Sequence, residues 1–469
     1  MCLSMTARIG VFGIGLAAYW PQFPGMKERL EGYRRAVEDR VRGFGGEVVS
    51  AGLVDTPEAA RAAGQLFLRE DLDLILCHVA TYATSSQVLP VVQKVQVPVL
   101  VLNLQPSAAL DYETADTAEW LANCSVCSVP EIANAFARAR LDFQVVSGQL
   151  HEDAAAWREI EDWCRAAAVA RAVRQCRIGF LGHTYPGMLD MYSDFTTMHA
   201  QLGAHIEVLE MDDLARRVAA AGANDVGAKL ATAREVFAID ASVPASDLDW
   251  AARVAVGLDR LAADFALDGL TYYYRGLDGN EFERLGAGLI LGNTLLTARG
   301  IPASGEGDLK TCLAMLMMDR LGAGGSFTEF YSMDFRDNFV LMGHDGPGHI
   351  AISDARPVLR GLGLYHGKRG SGVSVEFKVK TGPVTILGLT QTADGKLKLV
   401  AAEGESLPGP ILRIGNTNSR LRFSLGPAEF INRWSMEGPT HHCALGVGHN
   451  LARIGKLASL LKMPLAEVK

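Results

Sequence analysis

The stretch Ser304-Gly305-Glu306-Gly307-Asp308-Leu309-Lys310-Thr311 sets one carboxylate between two glycines, at the entrance to an apolar run that ends at Met318. Small residues let backbone and ligand approach closely. A helix start favours negative charge and supplies unpaired N–H groups. A glutamate fixed at such a junction is placed to hold a metal or to carry a proton, although the same stretch also reads as a helix cap. Downstream stand Glu329, His344 and the pair His441-His442, each close to glycine or proline. That setting is expected of side chains presented from loops between rigid elements. Carboxylates together with imidazoles suit Mn²⁺, Fe²⁺ or Co²⁺ better than the thiolate-rich sites that select zinc. Each histidine taken alone is equally a hydrogen-bonded loop residue, and spacing along the chain leaves convergence in space open.

Weaker candidates surround these. Asp334 and Asp337 compete with Glu329 for a ligand role, and His183 either faces a substrate or holds a turn. Asp308 and Lys310 either orient Glu306 or act as helix-end charges. Tyr272-Tyr273-Tyr274 ends a strand, so alternate rings face opposite sides and only part of the run can line a site. His349, His366 and His449 read as structural. Cys124-Ser-Val-Cys127 has the spacing of half a zinc site or a redox pair. No second CxxC completes it, and all eight cysteines, Cys2 included, read as free thiols.

These residues need elements to position them. A chain of 469 residues exceeds one hydrophobic core, so several domains are expected. Short apolar runs near 8–13, 47–50, 72–77 and 97–102 alternate with helical segments near 26–44, 56–69 and 85–94. That alternation is the mark of a parallel sheet with crossover helices. Ligands on such sheets bind at the carboxyl ends of the strands, which puts Gly13–Pro24, His78–Ser86 and Asn103–Ser107 on one rim. Gly13-Ile-Gly15 lacks the third glycine of a dinucleotide fingerprint, and NAD is rejected. After a long helix near 152–173, Arg177–Gly182 restarts the strand–glycine–loop pattern, which places a boundary near 175. Strands near 205–210 and 269–274 follow, with helices over 213–236, 247–266 and 286–297. Beyond 325 the texture alternates apolar and polar residues between glycines and prolines, as in an antiparallel barrel or sandwich. The reading is therefore an α/β chain with an N-terminal α/β domain over 1–175, a central α/β domain over 176–325 and a C-terminal β-rich domain over 326–469.

Hydrophobic content of 49%, charged content of 21% and a net charge of −8 describe an ordinary globular chain. No Lys/Arg-rich run points to nucleic acid or an anionic membrane, which leaves a small neutral substrate. No signal peptide or membrane span is read, so the expected location is cytoplasmic.

The motifs resemble those of a known family. Gly305-Glu-Gly-Asp-Leu-Lys-Thr311 is similar to the Gly-Glu-Gly-Asp-Trp-Lys-Thr of L-arabinose isomerases. Phe327-Thr-Glu-Phe-Tyr331 with Leu341-Met-Gly-His344 looks like that family's second glutamate and first histidine, and Pro439-Thr-His-His442 resembles its late His-His. The motifs keep the family's order, and the domain texture agrees over nearly the whole chain. The resemblance implies a Rossmann-like first domain, a second α/β domain and a barrel-like third. It also implies a divalent metal, usually manganese, held by Glu306, Glu329, His344 and His442, with His441 beside it. It further implies a trimer or hexamer with active sites between subunits. The departures lie in the sugar-reading segments: Gly13-Ile-Gly-Leu-Ala-Ala-Tyr-Trp-Pro-Gln22, Asn123–Glu131 and Tyr272–Gly276 replace the family's loops.

The expected reaction is aldose–ketose isomerisation through an ene-diol, with Glu306 and Glu329 as the acid/base pair. Tyr19, Trp20, Met188 and His441 are expected to shape the sugar pocket. Two rivals are carried forward, a metal-dependent epimerase or isomerase of an unusual sugar and a sugar-binding protein without catalysis.

Overall fold

The computed structural model describes residues 6–275, 279–362 and 372–469; Cys2, Gly276 and His366 lie outside them. Of the described residues, 6–171 form one compact unit and those from Ala172 to Lys469 form another.

In the first unit the strands Arg8–Ile14, Glu47–Val54, Leu74–His78, Val99–Gln105 and Phe143–Gln149 run parallel, in the spatial order second, first, third, fourth, fifth. Leu74–His78 is buried along its whole length, as a central parallel strand covered on both faces must be. The order reverses between the first and third strands, which opens a crevice at their carboxyl ends. The fifth strand was not anticipated. Only Val146 is buried along it, so it lacks the apolar run that marks its neighbours. The helix expected near 85–94 is broken. Pro90 permits only a 3-10 turn, Ser85–Gln87, and one further turn, Leu89–Val92, because its ring removes a donor and crowds the preceding turn.

The second unit begins with a parallel sheet in the order Ala303–Ser304, Gly269–Tyr273, Arg177–Gly182, His205–Leu209. The helical region 213–236 is two helices, Met211–Ala219 and Ala223–Val236. The strands Gly382–Gln391, His442–Val447, Gly324–Asp334, Phe339–His344, Thr417–Phe423 and Leu397–Ser406 then pair antiparallel in that order, and the last pairs back onto the first. The sheet is thus a closed barrel, which removes the edge problem of an open sheet. Met342, Val384, Ile386, Val400, Cys443 and Leu445 belong to the core that it packs on. Val373–Glu376, expected with the barrel strands, instead joins Val358–Gly361 and Ala238–Ile239 in a separate sheet.

The helix Leu309–Arg320 ties these parts together. Its residues from Leu309 to Met318 are all buried, as a helix apolar on every side must be. It packs on Gly269–Tyr273 of the parallel sheet and on Gly324–Asp334, His442–Val447 and Gly382–Gln391 of the barrel. The turn that enters it therefore delivers Glu306 and Asp308 to the barrel wall.

Candidate metal centre and sugar pocket

Glu329, His344 and His442 stand on strands, not on the loops their glycine-rich surroundings suggest. Glu329 is within Gly324–Asp334, His344 ends Phe339–His344, and His442 opens His442–Val447. The register sets Glu329 opposite His442 on one side and opposite Gly343 on the other, and directly opposed residues share a face. The ligand atoms of Glu329, His344 and His442 all lie within 4.8 Å of one another. His344 Nε2 is 3.2 Å from His442 Nε2. The Phe327 ring packs against both imidazoles, with centroids 4.4 and 4.3 Å away.

The far nitrogens are held as well. His442 Nδ1–H donates to Asp308 Oδ2 at 3.0 Å, and Asp308 also accepts from Thr311 N–H at 2.9 Å and from the Thr311 hydroxyl at 2.8 Å. Burial would raise the Asp308 carboxyl, but the hydrogen bonds from His442 and Thr311 outweigh it and bring it below its usual range. Burial pushes the His442 imidazole down to about 4, against the pull of Asp308. His442 is then neutral, with Nδ1 committed to Asp308 and the Nε2 lone pair turned to the site, the state a metal ligand needs. His344 Nδ1 lies 3.0 Å from Gly346 N and 3.2 Å from Asp345 Oδ1, a carboxylate that accepts the Nδ1 proton in the tautomer whose Nε2 is free to bind a metal.

This donor set fits a divalent ion. Two imidazole nitrogens, each about 2.1 Å from one ion and at right angles, stand about 3.0 Å apart, close to the 3.2 Å seen here. Two neighbouring imidazoles and a carboxylate also leave coordination positions open for substrate oxygens.

Glu306 reaches the same histidine from a loop. Its φ is +61° and that of Gly307 is +71°; the left-handed region costs a non-glycine residue about 1–2 kcal/mol. The surroundings hold the turn in place. Gly307 N–H donates to Tyr272 O at 3.0 Å, and Tyr185 N–H donates to Glu306 O at 2.9 Å. A Cβ on Gly307 would stand 2.6 Å from His183 O, so only glycine fits. Glu306 Oε2 lies 3.7 Å from His442 Nε2 and 3.9 Å from His441 Nε2. Glu306, His441 and His442 form a second group with ligand atoms within 4.8 Å. The four expected ligands thus divide into two groups that share His442.

His441 is fixed by a residue that sequence reasoning missed. Asp190 Oδ2 accepts from His441 N–H at 2.9 Å and from His441 Nδ1 at 2.7 Å. Burial alone would raise the Asp190 carboxyl, but these two bonds bring it down to about 2. Asp190 is in a short 3-10 turn, Leu189–Met191, opened by Met188. Lys310 reaches the same segment. It is buried, and its Nζ donates to Tyr192 O at 2.8 Å, which anchors the segment that carries Asp190. A cavity of about 350 Å³ opens beside the candidate metal ligands, its lining including polar Asp190, Glu329 and His441 and apolar Phe330, Trp434 and Pro439.

Other candidates are occupied elsewhere. Asp334 accepts the N–H groups of Arg336 and Asp337 in a turn. His183 Nε2 accepts from Arg275 N–H, and His349 Nε2 faces Asp319. Tyr272 is buried, whereas Tyr273 packs on Tyr185. Tyr19 and Trp20 belong to the first unit, where Tyr19 packs edge-on against Phe23 and Trp20 Nε1–H donates to Asp55 at 2.8 Å. No signal in the sequence links Asp190 to a histidine 251 positions away. Asp308, by contrast, was legible as a partner of the motif, though not as the partner of His442.

Residues 324–464 match the L-arabinose isomerase C-terminal domain, a span that contains Glu329, His344, His441 and His442. An L-arabinose isomerase of Aeromonas hydrophila is 23% identical over 81% of this chain and 78% of its own length. That of Acidothermus cellulolyticus is 26% identical over 78% of this chain and 75% of its own. A sulfoquinovose isomerase of Alkalicoccus urumqiensis is 24% identical over 68% of this chain and 70% of its own.

Proposed function

We propose that this chain is an aldose–ketose isomerase of the L-arabinose isomerase family, and that it interconverts a small neutral sugar with the help of a divalent metal, Mn²⁺ first, with Co²⁺ or Fe²⁺ as substitutes. The observation that carries this reading is the convergence of Glu329, His344 and His442 from three neighbouring strands, with Glu306 reaching the same histidine. His344 and His442 hold the ion through Nε2, with Glu329 and Glu306 as carboxylate ligands. The chemistry such an ion supplies when bound is charge stabilisation at the C1 and C2 oxygens of the open-chain sugar.

The chain's own residues do the rest. Glu329, at the cavity wall, takes the proton from one carbon and returns it to the other, through the ene-diol. Glu306, on the far side of His442, moves the hydroxyl proton between O1 and O2. His441, braced by Asp190, directs Nε2 towards Glu306 and the sugar oxygens. Phe330, Trp434 and Pro439 pack on the apolar face of the sugar and keep water from the reacting carbons.

A homo-oligomer, trimer or hexamer, with sites between subunits is part of the proposal, and a cytoplasmic location is too. Beside the cavity-lining Asp190 and Ser435, Leu189 is 77% and Met436 86% exposed, apolar surface that a partner subunit would cover. Light scattering tests it, with a monomeric mass as the contrary result. No described helix is long and apolar enough to cross a membrane.

The test of function is a screen of aldoses and ketoses with metal-stripped and Mn²⁺-reloaded protein. Interconversion that a chelator abolishes and Mn²⁺ restores is expected. Binding without turnover would contradict the proposal. A second reading, an isomerase of a sugar other than L-arabinose, is favoured by the sulfoquinovose isomerase among the relatives and by the replaced sugar-reading loops. The product profile of the same screen separates the two.

A further inference from the structure

The rim of the first sheet carries a dithiol that isomerisation does not use. Cys124 follows the helix Thr117–Ala122, and Cys127 immediately precedes the helix Ser128–Arg138. Their sulfurs lie 3.4 Å apart. A disulfide is about 2.05 Å long, so closure asks for an approach of about 1.4 Å, a movement within the reach of side-chain rotation.

The turn between the thiols is anchored at both ends. Ser125 is buried, and its hydroxyl donates to Asn103 Oδ1 at 2.8 Å. Ser128 N–H donates to Ser125 O at 3.1 Å. Asn123 Oδ1 accepts from Ser107 N–H at 3.2 Å, and Asn123 Nδ2 donates to Glu119 O at 3.0 Å. The backbone therefore holds the two side chains toward each other, and the pair does not depend on chance encounter of mobile groups. Among the described residues, no third His, Cys, Asp or Glu joins them as a metal-binding group. Cys77, Cys164, Cys176, Cys312 and Cys443 are buried, whereas Cys127 is exposed and Cys124 half-buried.

The two thiols differ in a way that assigns roles. Cys127 stands at the start of an 11-residue helix and is exposed, so a peroxide can reach its sulfur first. Burial first, and then the hydrogen bond with Cys127, push the Cys124 thiol up to about 11, so it is the poorer initial nucleophile.

We propose that Cys124 and Cys127 form a reversible redox site that reacts with hydroperoxides. The Cys127 thiolate attacks one peroxide oxygen, and the O–O bond breaks. The product is a sulfenic acid at Cys127, and the other oxygen leaves as water or an alcohol. Cys124 sulfur then attacks the Cys127 sulfur, the S–OH bond breaks, the S–S bond forms and water leaves with the Cys124 proton. The peroxide gains two electrons and the thiol pair loses two, and a small dithiol reverses the change. The new bond ties two helix ends together across Ser125 and beside Ser128, whose hydroxyl accepts from Ala83 N–H at 3.1 Å. Oxidation thus stiffens the rim formed beyond the third and fourth strands.

The test treats the full-length protein with hydrogen peroxide, blocks free thiols with N-ethylmaleimide and maps the cysteines by mass spectrometry. Cys124 and Cys127 share one tryptic peptide, which is expected to lose both maleimide labels and 2 Da and to regain both labels after dithiothreitol. In Cys124→Ser the reaction is expected to stop at a sulfenic acid on Cys127, trapped by dimedone. In Cys127→Ser, oxidation of Cys124 should slow by at least 10-fold. Labels on both thiols unchanged at peroxide levels that oxidise a small thiol would overturn the proposal. A bond from either cysteine to Cys2, which lies on a separate peptide, would overturn it too. Faster oxidation of Cys124 in Cys127→Ser would overturn the assignment of the nucleophile.

Discussion

The two sides of the candidate centre are built differently. Glu329, His344 and His442 stand on three adjacent strands of a closed barrel, with both histidines buried. Glu306 and His441 come from a left-handed turn and from the residue just before a strand, and both are half-buried. The first side has the rigidity that fixed coordination needs. The second is close enough to the cavity, and free enough of the barrel ladder, to handle protons. On the proposed reading the labour divides around one shared residue, His442: the strands supply three of the four ligands, and the loops add Glu306 and work on the substrate.

The sharpest way to break this comparison is Glu306→Gln. It is expected to lower kcat by about 10²- to 10⁴-fold, with Mn²⁺ affinity down by about 10- to 100-fold as one carboxylate ligand is weakened; calorimetry beside an isomerase assay reads both. A variant with full activity would remove Glu306 from proton transfer. On the strand side, His442→Ala is expected to weaken Mn²⁺ binding by more than about 100-fold, beyond the range typical of outer partners. Asp308→Asn follows, at about 10- to 100-fold in metal affinity. Asp308 also caps Leu309–Arg320 through Thr311, and because Asn serves as an N-cap as well as Asp does, the variant should stay folded, which denaturant titration checks. The smallest effect is expected of Asp190→Asn. It should raise KM or lower kcat by about 10-fold or less, with Mn²⁺ affinity within about two-fold of wild type. Equal losses of metal affinity in Asp190→Asn and Asp308→Asn would erase the distinction between the sides.

The sequence carried unequal information about these sides. The Glu306 motif was legible because its glycines are functional in a local sense: Gly307 holds a positive φ where a Cβ would strike the backbone of His183 and Thr184. The barrel residues were identifiable as candidates, yet their glycines misled about the element. Gly343 marks no loop. A Cβ there would stand 2.2 Å from Thr417 O, so the glycine lets two strands approach. Gly325, with a φ of +113°, lies against Met315 of the buried helix in the same way. Such contacts are long-range packing, and local composition cannot separate them from turn signals. The parallel sheets were readable from buried apolar runs such as Leu74–His78, whereas the half-exposed edge strand Phe143–Gln149 had no such signature. Asp190 was invisible because its role depends on His441, which arrives from another part of the fold.

The central claim is that the barrel strands hold one divalent ion through His344 and His442. The most direct measurement is a calorimetric Mn²⁺ titration of metal-stripped wild type, His344→Ala and His442→Ala. The account predicts one ion per chain in the wild type and loss of that binding in both variants, with each still folded by circular dichroism. Wild-type binding that persists unchanged in both variants, or no binding at all, would contradict it.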